Sequence, residues 1–185
     1  MHSPRALSRL ETDRLILRNR DVAEAAIYRQ LWSERDPRVP PHRRIDSAGR
    51  PTVDDIAASI RAEEEACTPG YVAVQRRAEA DVIGYCGLIE RGKYAEDDLE
   101  LVYELLQHAH GVGYATEATR ALLTWAAASG YPSVWASVRD WNHASRRVLQ
   151  KLGFVRTEVD PDPVYGDSLI FARKLSARQP GDSAL

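Results

Sequence analysis

Apolar and polar residues alternate near the start of the chain, and this pattern predicts a half-buried β-strand over Glu11–Asn19. Polar residues that favour helix N-termini precede two further segments, which predicts helices over Val22–Trp32 and Ile56–Ala66. The residues between these helices, 35–51, are rich in Pro and Arg. We therefore expect a long loop there.

The rest of the chain contains six segments rich in β-branched or aromatic residues and two with helical spacing. The predicted strands are Tyr71–Arg76, Val82–Glu90, Leu99–Leu106, Ser133–Val138, Phe154–Glu158 and Ser168–Lys174, and the predicted helices are Tyr114–Ser129 and Asn142–Leu152. This order predicts an α/β or α+β fold with a mixed sheet. We expect one domain over residues 1–185, with its core over residues 10–175 and a frayed tail over the last ten residues.

The charge balance argues against two classes of partner. The chain has 25 basic and 27 acidic residues and a formal net charge of -2, so it has no basic field to attract nucleic acid. Apolar runs fall well short of the roughly twenty residues that cross a bilayer. We therefore expect no nucleic-acid partner and no membrane partner.

Cysteine usage indicates a reducing compartment. Cys67 and Cys86 are the only cysteines, too few and too far apart for a disulfide framework or a CxxC metal site. The N-terminus also lacks the apolar run of a signal peptide. These features predict a cytoplasmic protein with two structural thiols and no metal.

Two glycines, Gly111 and Gly113, lie between a predicted strand and the start of a long predicted helix. Glycine lets the backbone turn tightly, and the first turn of a helix leaves N–H groups that can bind an anion such as phosphate. The alternative is an ordinary strand-to-helix turn. Neither a P-loop nor a Rossmann turn fits, because the required Lys or third Gly is absent.

A second group of polar residues follows in the last predicted helix. Asn142 and Ser145 are three residues apart, so both can point toward one ligand from the same helix face. The alternative is that Asn142 is an N-cap residue and Ser145 a solvated hydroxyl.

The two segments together resemble the GNAT superfamily of N-acetyltransferases. His110 to Ala115, followed by TEA, resembles the phrase WGKGYATEA, and residues 142–154 resemble N-x-x-S-x-x-V-x-x-K-x-G-F. The resemblance is closest to the ribosomal-protein N-terminal acetyltransferases, the RimJ/RimL-like branch. His110 departs from the pattern, and Val112 replaces a basic residue, which removes one possible phosphate contact.

The resemblance implies an acyl-CoA N-acyltransferase fold, with a mixed, mostly antiparallel sheet whose central parallel strands splay apart. It implies that acetyl-CoA binds in this gap, between Leu99–Leu106 and Ser133–Val138. The residues implied in binding it are Leu105, Leu106, His110, Gly111, Val112, Gly113, Tyr114, Ala115, Thr116, Asn142 and Ser145.

In the family, the amine attacks the thioester directly. Glu100 matches the position of a general base in several members. Glu104 lies four residues further along the strand and on the same face, because side chains alternate with a period of two. The alternative for both is a strand carboxylate paired with an Arg. Where many relatives have a Tyr that protonates the thiolate, this chain has Leu149, so Ser145 is the candidate to hydrogen-bond the sulfur.

The acceptor stays open at this stage: a peptide or protein N-terminus, or a small-molecule amine. Arg38, Arg43, Arg44 and Arg50 form a basic cluster that would suit an acidic substrate, or they are simply solvated. A CoA-binding module without catalysis and a different nucleotide-binding domain are the competing interpretations. A homodimer is compatible with the sequence.

Overall fold

The computed structural model describes residue 7 and residues 9–64, 70–90 and 99–175, which build an eight-stranded mixed sheet with four flanking helices. The strands are β1 Arg9–Glu11, β2 Leu15–Asn19, β3 Tyr71–Arg76, β4 Val82–Glu90, β5 Leu99–Leu105, β6 Ser133–Arg139, β7 Val155–Asp160 and β8 Ser168–Lys174. The helices are α1 Ala25–Glu34, α2 Val53–Glu64, α3 Tyr114–Ala128 and α4 His143–Lys151. The predicted α+β class is confirmed.

The strand order is β1-β2-β3-β4-β5-β6-β8-β7, and neighbouring strands run antiparallel except β5 and β6. These two parallel strands pair at Leu99 with Val134 and at Glu100 with Trp135, at the start of each strand. Beyond Glu100 the described residues of β5 and β6 form no further bridges, so the sheet opens there. The expected splay between the central parallel strands is therefore present.

The predicted single strand over Glu11–Asn19 is wrong, because the chain turns back on itself within it. The Thr12 N–H donates to the Leu15 carbonyl oxygen at 2.9 Å, and the Thr12 hydroxyl accepts from the Leu15 N–H at 3.0 Å. The turn makes β1 and β2 an antiparallel hairpin. The alternation of apolar and polar side chains does not reveal such a break, because the turn is set by hydrogen bonds between residues three positions apart.

The other predicted elements are confirmed, with shifts of at most three residues at the ends that the structure describes. Helix starts follow the polar residues named by the sequence: Asp21 accepts a hydrogen bond from the Ala23 N–H, and the Thr52 hydroxyl accepts from the Asp55 N–H. The predicted end of the second helix, Cys67 and the tail over residues 176–185 lie outside the described residues. Within the described residues, none of the helices has the length and apolarity that crossing a bilayer requires.

Each face of the sheet covers a separate apolar core. One face packs against α3 and α4, with Leu122 and Leu149 almost fully buried, and the other packs against α1 and α2, with Leu31 and Ile60 buried. Burying each such side chain contributes on the order of 2 kcal/mol. Side chains of β5 alternate between the two faces, so this strand can present groups to both sides of the opening.

Candidate functional site

A cavity of about 950 Å³ runs through the opening between β5 and β6. On the α4 side it is lined by Tyr103, Ser145 and Leu149, and on the α1–α2 side by Glu100 and Val102. Because it reaches both faces of the sheet, two ligands could enter from opposite sides and meet at the opening. Of the site residues predicted from the sequence, Glu100 and Ser145 line this cavity, whereas Glu104, the glycine turn and Asn142 lie outside its lining.

Tyr103 and Ser145 meet across the opening. The Tyr103 hydroxyl lies 2.7 Å from Ser145 Oγ and donates to the Ser145 carbonyl oxygen at 3.1 Å. Burial raises the pKa of Tyr103 to about 12, and the hydrogen bond with Ser145 lowers it only in part. The phenol is therefore protonated at neutral pH and is a hydrogen-bond donor at the opening.

Sequence reasoning named Ser145 but missed Tyr103. The available signal was the period-two pattern of β5, which puts Tyr103 on the same face as Leu101 and Leu105, toward the helix that carries Ser145.

Glu100 lies at the point where the strands separate. It pairs in register with Trp135, the last bridge before the opening, and its side chain lines the cavity. The residue is 8% exposed, which is rare for a carboxylate. Its position fits the expectation of a base that meets an amine inside the cavity.

Glu104, the reserve candidate, has both carboxylate oxygens occupied. Arg35 donates to them from Nε and Nη2, each at 2.6 Å, and the Tyr85 hydroxyl donates to Oε2 at 2.8 Å. Such a bidentate pair fixes the position of the carboxylate and occupies its acceptor sites. These contacts favour the alternative that Glu104 is a structural carboxylate.

The glycine turn has the geometry of an anion cradle. Gly111 and Gly113 have φ angles of +81° and +91°, and a Cβ built on Gly111 would meet no atom within 4 Å. Gly113 is the N-cap of α3 and makes no side-chain cap, so no capping side chain covers the N–H groups of Tyr114, Ala115 and Thr116. Val112 is 53% exposed beside them. The residues present fit a pyrophosphate group.

Arg14 supplies a positive charge at this turn from a distant part of the chain. Its Nη1 donates to the Val112 carbonyl oxygen at 3.0 Å, its guanidinium lies 4.7 Å from the centre of the Tyr114 ring, and it pairs with Glu117 at 2.6 Å. Sequence reasoning counted a basic residue as lost at Val112 and missed Arg14, because the two are separated by almost a hundred positions.

The backbone groups of Leu105 and Leu106 differ in availability. The Leu106 N–H donates to the Ile83 carbonyl oxygen at 2.8 Å, so it faces β4, and by alternation the backbone groups of Tyr103 and Leu105 face the opening. The Leu105 carbonyl oxygen accepts from His110 Nε2 at 2.8 Å. His110 therefore ties the glycine turn to the end of β5, and its Nε2 carries the hydrogen.

Two further residues have structural contacts. Asn142 caps α4, and its Oδ1 accepts from the Ser145 N–H at 3.1 Å, which orients the residue that meets Tyr103. Cys86 is a buried free thiol, and burial raises its pKa well above the usual range, which opposes a nucleophilic role. Among the described residues, no cluster of three or more His, Cys, Asp or Glu could hold a metal ion.

A sheet that opens between two parallel strands, with a glycine turn and a helix after the first of them, is the arrangement of an acyl-CoA N-acyltransferase fold. The family model for the acetyltransferase (GNAT) domain matches residues 14–155. The chain therefore belongs to the GNAT acetyltransferase family, whose fold binds acetyl-CoA.

Solved structures share this fold at low sequence identity. A GNAT-family acetyltransferase from Bacillus anthracis superposes with a TM-score of 0.75 at 19% identity, covering 90% of this chain and 98% of that one. RimL, a ribosomal-protein acetyltransferase solved in complex with coenzyme A, superposes with a TM-score of 0.72 at 14% identity, covering 92% of this chain and 99% of that one. A ribosomal-protein-S5-alanine acetyltransferase from Vibrio fischeri superposes with a TM-score of 0.69 at 15% identity, covering 93% of this chain and 99% of that one. The curated proteins include no match.

Proposed function

We propose that this enzyme transfers the acetyl group of acetyl-CoA to a primary amine, by direct attack of the amine. The observation that carries the proposal is the placement of Glu100 and the Tyr103–Ser145 pair around one cavity that crosses the sheet. A base and a hydrogen-bond donor are the two groups that direct transfer needs.

The residues that would hold acetyl-CoA are the glycine turn and the open edge of β5. The N–H groups at the start of α3 and the Arg14 guanidinium suit the pyrophosphate, and the backbone of Tyr103 and Leu105 suits the pantetheine arm. When bound, acetyl-CoA supplies the thioester carbonyl that the amine attacks and the sulfur that departs.

Glu100 would accept the proton that the amine loses. An α-amine with a pKa near 8 costs about 1 kcal/mol to deprotonate at pH 7, whereas a lysine amine costs about 4.6 kcal/mol. The smaller deprotonation cost makes an α-amine the better-suited acceptor for a single buried carboxylate acting as base. Tyr103, hydrogen-bonded to Ser145, would donate a hydrogen bond or a proton to the departing sulfur.

The acceptor that these considerations favour is the α-amine of a peptide or protein, with small-molecule amines as the second candidate. RimL is described as an α-N-protein acetyltransferase, and its fold is similar to that of this chain, which supports a peptide N-terminus. A cytoplasmic location agrees with the buried free thiol of Cys86. The single domain and the homodimer stay predictions.

The test is release of free CoA thiol from acetyl-CoA with a panel of peptides, amino acids, polyamines and aminoglycosides. Amine-dependent release that falls by about 10² to 10⁴ in Glu100→Gln would support both the reaction and its base. Thermal stabilisation by coenzyme A without release for any amine would contradict the enzyme and favour a non-catalytic module.

A further inference from the structure

The wall of the cavity on the α1–α2 side contains an arginine framed by three tyrosines. Arg20 has a side chain only 9% exposed, and its guanidinium carbon lies 5.1 Å, 5.0 Å and 5.9 Å from the ring centres of Tyr28, Tyr71 and Tyr85. Glu63 pairs with its Nη2, but Nε is buried with no hydrogen-bond partner among the described residues. A buried donor without a partner is costly, so this position favours a further anionic ligand group.

The adjacent loop adds two arginines to the same wall. Arg43 and Arg44 line the cavity, and within the described ranges neither has a carboxylate at ion-pair distance. Two further arginines of the wall are paired: Arg35 with Glu104 and Arg50 with Asp46. Asp55, a further acidic residue of the wall, accepts hydrogen bonds from the Thr52 N–H and hydroxyl. Arg43 and Arg44 are thus the arginines of the wall without a carboxylate partner among the described residues, and Arg20, which is paired with Glu63, lines the same cavity.

The sheet register sets how far this charge lies from Glu100. Tyr71 pairs with Gly87 and Gly87 with Val102, which is two residues from Glu100 on β5. Two strand spacings and two residues of rise separate the Cα atoms of Tyr71 and Glu100 by roughly 12 Å. Extended peptide covers about 3.3 to 3.6 Å per residue. Measured between these backbone positions, an amine beside Glu100 and an anion beside Tyr71, whose ring Arg20 contacts, are about three extended residues apart.

We propose that the acceptor is a peptide or protein N-terminus that carries an acidic residue among its second to fourth positions. The inference rests on the proposed function, because it places the acceptor amine at Glu100. The α-amine enters toward Glu100, and the carboxylate binds Arg20 Nε and the guanidinium groups of Arg43 and Arg44. An α-amino acid is too short to span the two groups, since its own carboxylate lies next to its amine.

The test measures binding without requiring turnover. N-terminally acetylated peptides, the expected products, are titrated by calorimetry into the full chain with saturating coenzyme A. Each acidic peptide has a twin in which Gln or Asn replaces Glu or Asp at positions two to four. We expect the acidic peptides to bind about ten-fold more tightly, and the ratio to shrink as NaCl is raised. N-acetylated aspartate and glutamate are titrated as short ligands.

Arg43→Gln removes an exposed guanidinium and should abolish most of this preference. Its matched control is Arg61→Gln, which removes the same charge from an exposed position on α2 outside the cavity wall. Arg43→Glu should reverse the preference toward peptides with Lys at positions two to four, which a merely structural effect would not do. Arg20→Gln is measured as well, with its melting temperature, because it packs among three rings.

Equal binding of acidic and neutral peptides, or a preference that Arg43→Gln leaves intact, would overturn the inference. Tight binding of the short N-acetylated acids would overturn the three-residue spacing. The same peptides without the acetyl group are assayed for thiol release. Transfer to both kinds of peptide at equal rates would leave the proposed function standing and refute the inference. Acid-selective binding without any transfer would refute the proposed function and leave only an acid-binding subsite at the arginines.

Discussion

The hydroxyl of Tyr103 lies 2.7 Å from the hydroxyl oxygen of Ser145, so β5 and α4 are joined at the place where the sheet opens. Ser145 is oriented in turn by Asn142, which accepts from its N–H. A serine hydroxyl alone is a poor acid, and the neighbouring phenol is the more acidic of the two groups. In the proposed mechanism the pair takes the place of a Tyr on the last helix, since that position is Leu149 here.

The Tyr103–Ser145 pair predicts coupled effects on turnover. Tyr103→Phe should lower kcat by about 10² with a smaller effect on KM, because the donor acts on the departing sulfur. Ser145→Ala should lower kcat less. The kcat of the double variant should lie within a few-fold of the kcat of Tyr103→Phe. The measurement is steady-state thiol release with the best amine of the panel. Strictly multiplicative effects would show that the two hydroxyls act separately.

The Arg35–Glu104 ion pair predicts a loss of stability rather than a specific loss of chemistry. Glu104→Gln leaves the guanidinium of Arg35, whose side chain is 8% exposed, without a carboxylate, and should cost about 3 kcal/mol of unfolding free energy. Urea denaturation measures it.

The matched control for this pair is Asp36→Asn, which breaks an exposed ion pair with Arg38 and should cost less than about 1 kcal/mol. If Glu104→Gln kept full stability but abolished transfer, Glu104 rather than Glu100 would be the base.

The left-handed conformation of Gly113 predicts a defect in coenzyme A binding. Ala at φ +91° is strained by about 1 to 2 kcal/mol, and its Cβ would lie 3.5 Å from Arg14 Nη2. In Gly113→Ala the rise in melting temperature caused by coenzyme A should be reduced. Gly153→Ala, at φ +75° with no atom within 4 Å, carries similar strain away from the turn and should keep the full rise. If coenzyme A raised the melting temperature equally in both variants, this would argue against a phosphate at the turn.

The contacts of Glu117 predict a pH-dependent contribution to stability. Burial raises the pKa of Glu117, but hydrogen bonds from Thr12 and Arg14 outweigh it, and the net pKa lies below its ordinary value of 4.5. A lowered pKa stabilises the fold above the unfolded value, and this contribution is lost as pH falls through the folded value. Glu117→Gln should therefore cost about 1 to 2 kcal/mol at neutral pH.

The pH dependence is tested by measuring the melting temperatures of the wild type and of Glu117→Gln between about pH 3 and pH 7. We expect the gap between the two proteins to narrow as the pH falls below about 4.5. A constant gap over this range would mean that the carboxylate charge does not matter and that only packing was lost.

Much of the site was predictable because its signals are local. The GxG turn lies within six residues, and the Asn142–Ser145 spacing lies within one helical turn. The backbone conformations that these residues favour are set by their own side chains or by the lack of one. Contacts between distant segments were not predictable in this way, as with Arg14 at Val112 and Arg20 among three tyrosines.

The sequence by itself determined the strands and helices apart from the turn between β1 and β2, the glycine turn and the family resemblance, because periodicity and glycine positions act over a few residues. The tertiary structure decided which carboxylate is taken by an arginine, where β5 and β6 separate, and which hydroxyl meets Ser145. Glu100 and Glu104 lie on the same face of one strand. Only the packing of α1, which brings Arg35 to Glu104 and leaves Glu100 at the opening, makes them differ.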